Sequence, residues 1–179
     1  QANDGGTNCS YPLAVSGGAC GTAFSDFNLR FPAGASIAAG EFQTIALVGA
    51  SNFCAYHSCA VLRPTYEIAG TGQPDDPLVA NMLGVFDNRA TNFPADGGGG
   101  LGFLTNAGEE VVLYSWDGMA ATVQDVDYVV WGSSTAYRTD KTGLAGYQPD
   151  TAITSQRAVG GTASASTSFQ RLCTNEGVE

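Results

Sequence analysis

Two stretches in the second half of the chain decide the fold: Glu109-Glu-Val-Val-Leu-Tyr-Ser-Trp116 and Ala121-Thr-Val-Gln-Asp-Val-Asp-Tyr-Val-Val-Trp131. Both are rich in β-branched and aromatic residues, which favour strands. They are joined by Trp116-Asp117-Gly118-Met119, and an Asp-Gly pair between two strand-like stretches is typical of a β-hairpin. The sequence therefore predicts an antiparallel hairpin here.

Shorter strand-like stretches lie on both sides of this hairpin, separated by turns that draw on the 24 glycines of the chain. They are Phe27–Phe31, Phe42–Val48, Val61–Ile68, Leu101–Leu104 and Ser166–Leu172. One helix is predicted to begin at Asp76-Pro77, because Leu78, Met82 and Phe86 recur every four residues after a capping aspartate. Many short strands with at most one short helix predict an all-β fold, a sandwich or a barrel.

Composition narrows the class of protein. The 179 residues favour one domain, and 44% of them are hydrophobic, which is typical of a globular chain. The net charge is −10, with Lys141 as the only lysine and six arginines scattered singly. Such a surface repels nucleic acid. No apolar run approaches the roughly 20 residues that span a bilayer, so no membrane insertion is expected.

The five cysteines of the chain bear on the cellular compartment in which it folds. Cys9 and Cys20 flank a hairpin-like segment, and Cys54 and Cys59 bracket a short loop. We expect two local disulfides, Cys9 with Cys20 and Cys54 with Cys59, which predicts an oxidising environment and a secreted or cell-surface protein. Cys173 is left over.

Catalytic chemistry has few candidate residues. The only histidine is His57, and no Gly-x-Ser-x-Gly segment is present, so a serine hydrolase is not expected. An alternative to the second disulfide is a zinc site, in which Cys54, His57 and Cys59 would need a fourth ligand such as Cys173.

Carboxylates offer a second alternative. Asp125 and Asp127 lie two apart on a predicted strand, so their side chains are expected to share a face. With Asp117 they could hold calcium, which prefers several oxygen ligands. A pair of carboxylates is also the catalytic arrangement of glycosidases. The simpler interpretation is that both aspartates face solvent and that Glu109-Glu110 is only the polar start of a strand.

Four segments of the chain form a recognisable series: Phe31–Gly40 with the strand-like Phe42–Val48, Leu104–Tyr114, Asp117-Gly118 with Val123–Tyr128, and Ser166–Arg171. In their order and spacing they resemble the lamin tail domain family. The resemblance covers residues 26 to 172 and implies an immunoglobulin-like β-sandwich. Bacterial members are typically secreted or surface-attached, often beside nucleases or other hydrolases in larger chains, and the domain carries no catalytic residues.

Two departures from the family bear on the domain boundaries. Nothing before Phe27 matches the family's opening strand pair, and the family usually continues past the arginine equivalent to Arg171. We therefore predict an N-terminal disulfide-hairpin segment over 1–25 and a lamin-tail-like sandwich over 26–179, incomplete at both ends. A longer protein, a processed form and strands supplied by a neighbour would each account for this.

The function expected from these features is that of a non-catalytic, structural or adhesive module of a bacterial surface or extracellular assembly. Protein partners or self-association by strand addition would follow from the missing strands. No catalytic residue, metal or cofactor is expected beyond the calcium alternative. The rival function is a substrate- or DNA-targeting accessory domain of a secreted nuclease or hydrolase.

Overall fold

The computed structural model of the protein describes residues 29–47, 49–68, 75–84, 104, 106–160 and 168. The chain divides into two units by its contacts. We call Phe24–Phe103 the middle unit, and Gln1–Ala23 together with Leu104–Glu179 the hairpin unit. Across the described ranges strands predominate and one short α-helix is present, in agreement with the predicted all-β class. The proposed boundary at residue 25 lies outside the described ranges and stays a prediction.

The hairpin unit contains the two strands that the sequence predicts most clearly. β6 is Gly108–Ser115 and β7 is Gln124–Gly132, and they pair antiparallel from Gly108 opposite Gly132 to Ser115 opposite Gln124. The pairing shifts by one residue between Leu113 and Tyr114, which leaves Val126 as an extra residue on β7. This β-bulge inverts the alternation of β7 on either side of it.

Two glycines allow a close approach at the open end of the hairpin. Gly108 and Gly132 face each other there, and Gly132 has a φ of 94°. The ring of Tyr137, in a 3₁₀ turn over Thr135–Tyr137, occupies the space that a Cβ on Gly108 would need. A Cβ on Gly132 would lie 2.5 Å from the carbonyl oxygen of Ala107. Glycine at both positions therefore lets the turn fold back onto the strands.

The segment after the strands lies along the hairpin. We call residues 138–160 the strap. Val159 forms a parallel bridge with Trp131, and its N–H donates to the carbonyl of Val130 (2.8 Å). At the other end of the hairpin, Leu144 and Tyr147 of the strap pack against the buried Val123. The strap is thus attached to the hairpin near both of its ends.

The middle unit is built from strands of two residues each. β2 (Ile45–Ala46), β3 (Tyr66–Glu67) and β4 (Ala80–Asn81) form a parallel sheet in that order, and β1 (Leu29–Arg30) pairs antiparallel with β5 (Leu83–Gly84). The core consists of Tyr66, Ile68 and Met82, with Leu29, Ile45 and Leu47 packed against it. Predicted strands therefore appear here, but each is shorter than its sequence pattern.

The helix predicted to begin at Asp76 is wrong. The same residues contain β4 and β5. The Asp76 carboxylate accepts a hydrogen bond from the Leu78 N–H (3.0 Å), which closes a turn, and the Met82 N–H donates to the carbonyl of Glu67 (2.7 Å). Pairing with a strand distant in sequence therefore overrides the four-residue apolar period. Phe86 lies outside the described residues.

The α-helix lies instead at Ala50–Tyr56, which we call α1. Its N-cap is Gly49, which has no side chain to accept a hydrogen bond. The carboxylate of the fully buried Glu67 supplies the acceptor, because Oε2 receives the Ala50 N–H at 2.6 Å. Its other oxygen receives the Asp76 N–H at 2.8 Å. One buried carboxylate on β3 therefore satisfies backbone donors on two neighbouring segments.

Candidate functional site

A polar pocket lies in the hairpin unit, on the face of β6 and β7 that the strap covers. We call it the lysine pocket. It is lined by Glu110 of β6, Asp125 and Tyr128 of β7, and Thr139, Lys141, Asp150, Thr151 and Gln156 of the strap. Its volume is about 20 Å³, enough for one water molecule.

The bulge at Val126 decides which aspartate reaches this pocket. Asp125 lies opposite Tyr114, whereas Asp127 lies opposite Leu113. Because Leu113 and Tyr114 are successive residues of β6, they point to opposite faces, and so do their partners. The prediction that Asp125 and Asp127 share a face is therefore wrong, because a one-residue bulge separates them. Asp125 lines the pocket and Asp127 does not.

Lys141 is held between two carboxylates. Its Nζ lies 2.5 Å from Asp125 Oδ2 and 3.1 Å from Asp150 Oδ1. The three side chains are only 14%, 18% and 12% exposed, respectively. Burial by itself lowers the pKa of Lys141, but the bonds to Asp125 and Asp150 outweigh it and hold the pKa above its usual value. The backbone N–H of Lys141 also donates to Asp150 Oδ2 (2.7 Å), so this aspartate binds both the amine and the backbone of one residue.

Glu110 is the second ionisable group of the pocket that burial perturbs. The Thr139 hydroxyl donates to Glu110 Oε2 at 2.5 Å. Burial raises the pKa of Glu110 to about 7, against the lowering effect of the Thr139 bond, and the nearby Asp125 and Asp150 raise it further. At neutral pH this carboxyl can therefore both give and accept a proton.

Gln156 fixes the strap from within. Its amide nitrogen donates to the carbonyl oxygens of Thr139 (2.7 Å) and Thr151 (2.9 Å). Arg138 adds a bond from Nη1 to the carbonyl oxygen of Ile153 (2.7 Å). These bonds hold Thr139 and Lys141 where they meet the strands.

The sequence predicted Asp125 as a candidate residue but not the rest of this pocket. Glu110 was interpreted as the polar start of a strand, yet its side chain is buried. Two signals could have found the site: Glu110 alternates with Val112 and Tyr114 on one face of β6, and Lys141 is the only lysine of the chain. The partners Thr139, Asp150 and Gln156 carry no local signal.

Asp117 lies in the loop between the strands and is exposed there. Its Oδ1 accepts the N–H groups of Ala120 (2.7 Å) and Met119 (2.8 Å), and these two bonds lower its pKa. Among the residues that the structure describes, no group of three or more His, Cys, Asp or Glu side chains is placed to hold a metal ion. The calcium alternative through Asp117, Asp125 and Asp127 therefore has no geometric support.

The cysteine pair of the middle unit lies at the end of α1. Cys54 and Cys59 have Cα atoms 5.0 Å apart and sulfur atoms within disulfide distance, which leaves no thiolate pair for the zinc alternative. His57 is exposed and stacks on Phe53, with ring centroids 4.5 Å apart. Cys9, Cys20 and Cys173 lie outside the described residues, so the Cys9–Cys20 disulfide stays a prediction.

Comparison of the chain with known protein families, with curated proteins and with solved structures finds no match. Within the described ranges, no helix is long and apolar enough to cross a membrane. The candidate site therefore rests on its own geometry.

Proposed function

We propose that the chain is a non-catalytic, structural or adhesive module of a bacterial surface or extracellular assembly, with an immunoglobulin-like, lamin-tail-like β-sandwich fold. The observation that carries the proposal is that the charged groups of the lysine pocket bind one another across two segments of the chain. Lys141 binds Asp125 on the hairpin and Asp150 on the strap, around a volume that holds about one water molecule. An organic substrate usually occupies a pocket of roughly 300–1,000 Å³. This arrangement favours a brace between segments over a substrate site.

The surface supports an adhesive role. Large apolar side chains are strongly exposed on the middle unit, with Phe42 at 92%, Val61 at 87% and Tyr56 at 82%. On an acidic chain with a single lysine, exposed aromatic and aliphatic groups favour contacts with protein surfaces. The Cys54–Cys59 pair next to Tyr56 and Val61 is compatible with an extracellular location.

Sedimentation velocity of the full chain over a wide concentration range tests the proposal. We expect concentration-dependent association, which the triple variant Phe42→Ser, Tyr56→Ser, Val61→Ser weakens at least several-fold. A matched control replaces the exposed polar residues Ser51, Asn52 and Ser58 with alanine and should leave association unchanged. A chain that stays monomeric at high concentration and does not adhere to intact bacterial cells would contradict the proposal. Salt-sensitive binding to duplex DNA would favour the accessory-domain alternative instead.

A further inference from the structure

The only lysine of the chain is enclosed rather than placed on the surface. Lysine is among the residues least often buried, and the chain has no second copy of it to share this role. Its side chain is 14% exposed and ends between two carboxylates, with Nζ 2.5 Å from Asp125 Oδ2. An amine this close to a carboxyl oxygen is also close to the carboxyl carbon, the atom that an amine attacks.

The pocket supplies what a condensation between these groups needs. Its volume of about 20 Å³ limits the water that would hydrolyse or dilute the reacting pair. The reacting atoms belong to segments fixed by separate bonds, Asp125 by the pairing of β7 and Lys141 by its backbone bond to Asp150. Reactants held in such geometry reach effective concentrations on the order of 10⁵ M or more. A buried carboxyl, Glu110, lines the same pocket and titrates near neutral pH.

We propose that Lys141 and Asp125 join in an intramolecular isopeptide bond, formed between Nζ and Cγ, with Glu110 as the group that transfers protons. The bond covalently links β7 to the strap. This inference does not depend on the adhesive role proposed above, because it follows from the geometry of the pocket alone.

The reaction is a condensation without change of oxidation state. The Lys141 ammonium first passes a proton to the Asp125 carboxylate along their hydrogen bond, which leaves a neutral amine and a neutral acid. The amine nitrogen attacks Asp125 Cγ and forms the new N–C bond. The Glu110 carboxyl gives its proton to the departing hydroxyl, so that the Cγ–O bond breaks and water leaves. The Glu110 carboxylate then takes the proton that the nitrogen sheds, which regenerates the acid.

Asp125 is the electrophile, because it is the nearer carboxylate and Asp150 has another role. Asp150 Oδ1 lies 3.1 Å from Nζ, and Asp150 Oδ2 accepts the backbone N–H of Lys141 itself. This double contact positions the lysine while its amine faces Asp125. Asp150 is therefore a positioning residue.

Intact-mass measurement of the purified, unfolded chain tests the proposal. We expect a mass lower by one water molecule than the sequence requires in the same cysteine oxidation state. Fragmentation should reveal a branched peptide that joins Lys141 to Asp125. An amine-reactive reagent applied to the unfolded chain should find no ε-amine, since Lys141 is the only one. A full mass together with a reactive ε-amine overturns the proposal.

Variants separate this bond from other water losses. Lys141→Arg and Asp125→Ala should restore the full mass, whereas Asp150→Asn should retain the cross-link at a reduced rate of formation. Glu110→Gln should fold, as checked by circular dichroism, and form the bond at least ten-fold more slowly. A succinimide at an Asp-Gly pair such as Asp117-Gly118 also loses water, but it survives Lys141→Arg and leaves the ε-amine reactive, and that result overturns the proposal. If a variant fails to fold, the peptide map of the unmodified sequence decides.

Discussion

Glu67 in the middle unit and Glu110 in the hairpin unit are both buried carboxyls on strands, but their partners differ. Glu67 is fully buried, and its two oxygens accept backbone N–H groups from Ala50 and Asp76. Glu110 accepts the side-chain hydroxyl of Thr139 and lines a pocket with two aspartates and a lysine. Because Glu67 binds backbone N–H groups, its carboxylate helps to hold the secondary structure in place. Side-chain partners leave the second in a setting where it can gain and lose a proton.

The largest effect is expected when the cation of the lysine pocket is removed. Lys141→Met keeps an unbranched side chain but leaves Asp125 and Asp150 without their shared partner, and it also prevents the proposed cross-link. Breaking a fully buried ion pair from one side typically costs about 3 to 5 kcal/mol of the free energy of unfolding, and because these side chains are only partly buried we expect a loss at the lower end of that range. Chemical denaturation followed by tryptophan fluorescence measures the change. Arg157→Met, which removes a cation from an exposed site, serves as the control and should cost little. Equal losses in the two variants would show that the pocket does not brace the hairpin unit.

The next largest effect is the pH dependence of stability that Glu110 contributes. Burial raises the pKa of Glu110 from its ordinary value of 4.5 to about 7, so the folded chain holds this proton more tightly than the unfolded chain. The protonated Glu110 therefore stabilises the folded chain fully below pH 4.5, and this stabilisation is lost as the pH rises through 7. The free energy of unfolding changes by about 3 kcal/mol over this range. Glu110→Gln cannot titrate and should remove this part of the slope between pH 5 and 8. Denaturation midpoints measured across this range give the answer, and an unchanged slope in the variant would contradict the role of Glu110.

A smaller loss is expected when the backbone-bound carboxylate of the middle unit is altered. Glu67→Gln keeps the shape but replaces one acceptor oxygen with an amide donor, which then faces the N–H of Ala50 or Asp76. An unsatisfied buried donor costs about 1 to 3 kcal/mol. Hydrogen exchange at these two amides should accelerate together with the loss of stability. Glu41→Gln is the matched control, because Glu41 accepts one backbone N–H, that of Ala38, at an exposed site. If both variants lose the same stability, burial of Glu67 is not what matters.

These two regions also differ in how far the sequence predicts them. The hairpin strands were predicted within a few residues, because β6 and β7 are long and their pairing is local. The bulge at Val126 was not predicted, because Asp125 and Asp127 are two residues apart, and in a regular strand that spacing places both side chains on one face. In the middle unit the apolar period after Asp76 predicted a helix, and the competing contacts come from Glu67, which is distant in sequence.

The candidate site shows the same limit. Asp125 was singled out from the sequence, but for a calcium set with Asp117 and Asp127 that the fold does not assemble. Lys141, Asp150 and Gln156 lie in a stretch without regular structure, where no period indicates which side chains turn inward. Their positions depend on hydrogen bonds and ion pairs to one another and to the strands. These contacts form only in the folded chain, so the local sequence does not indicate them.

The enclosure of Lys141 also affects how the chain meets proteases. A trypsin-like enzyme must draw a basic side chain into its own specificity pocket, and the two basic residues at the start of the strap, Arg138 and Lys141, are both engaged with other segments. Cleavage at Arg138 requires the strap to open first, so its rate reports on local unfolding rather than on exposed surface. The proposed cross-link would protect Lys141 even after the strap opens, because its side chain would no longer carry a charged amine. In an environment rich in secreted proteases, residues 138–141 should therefore be cut more slowly than the exposed Arg157 later in the strap.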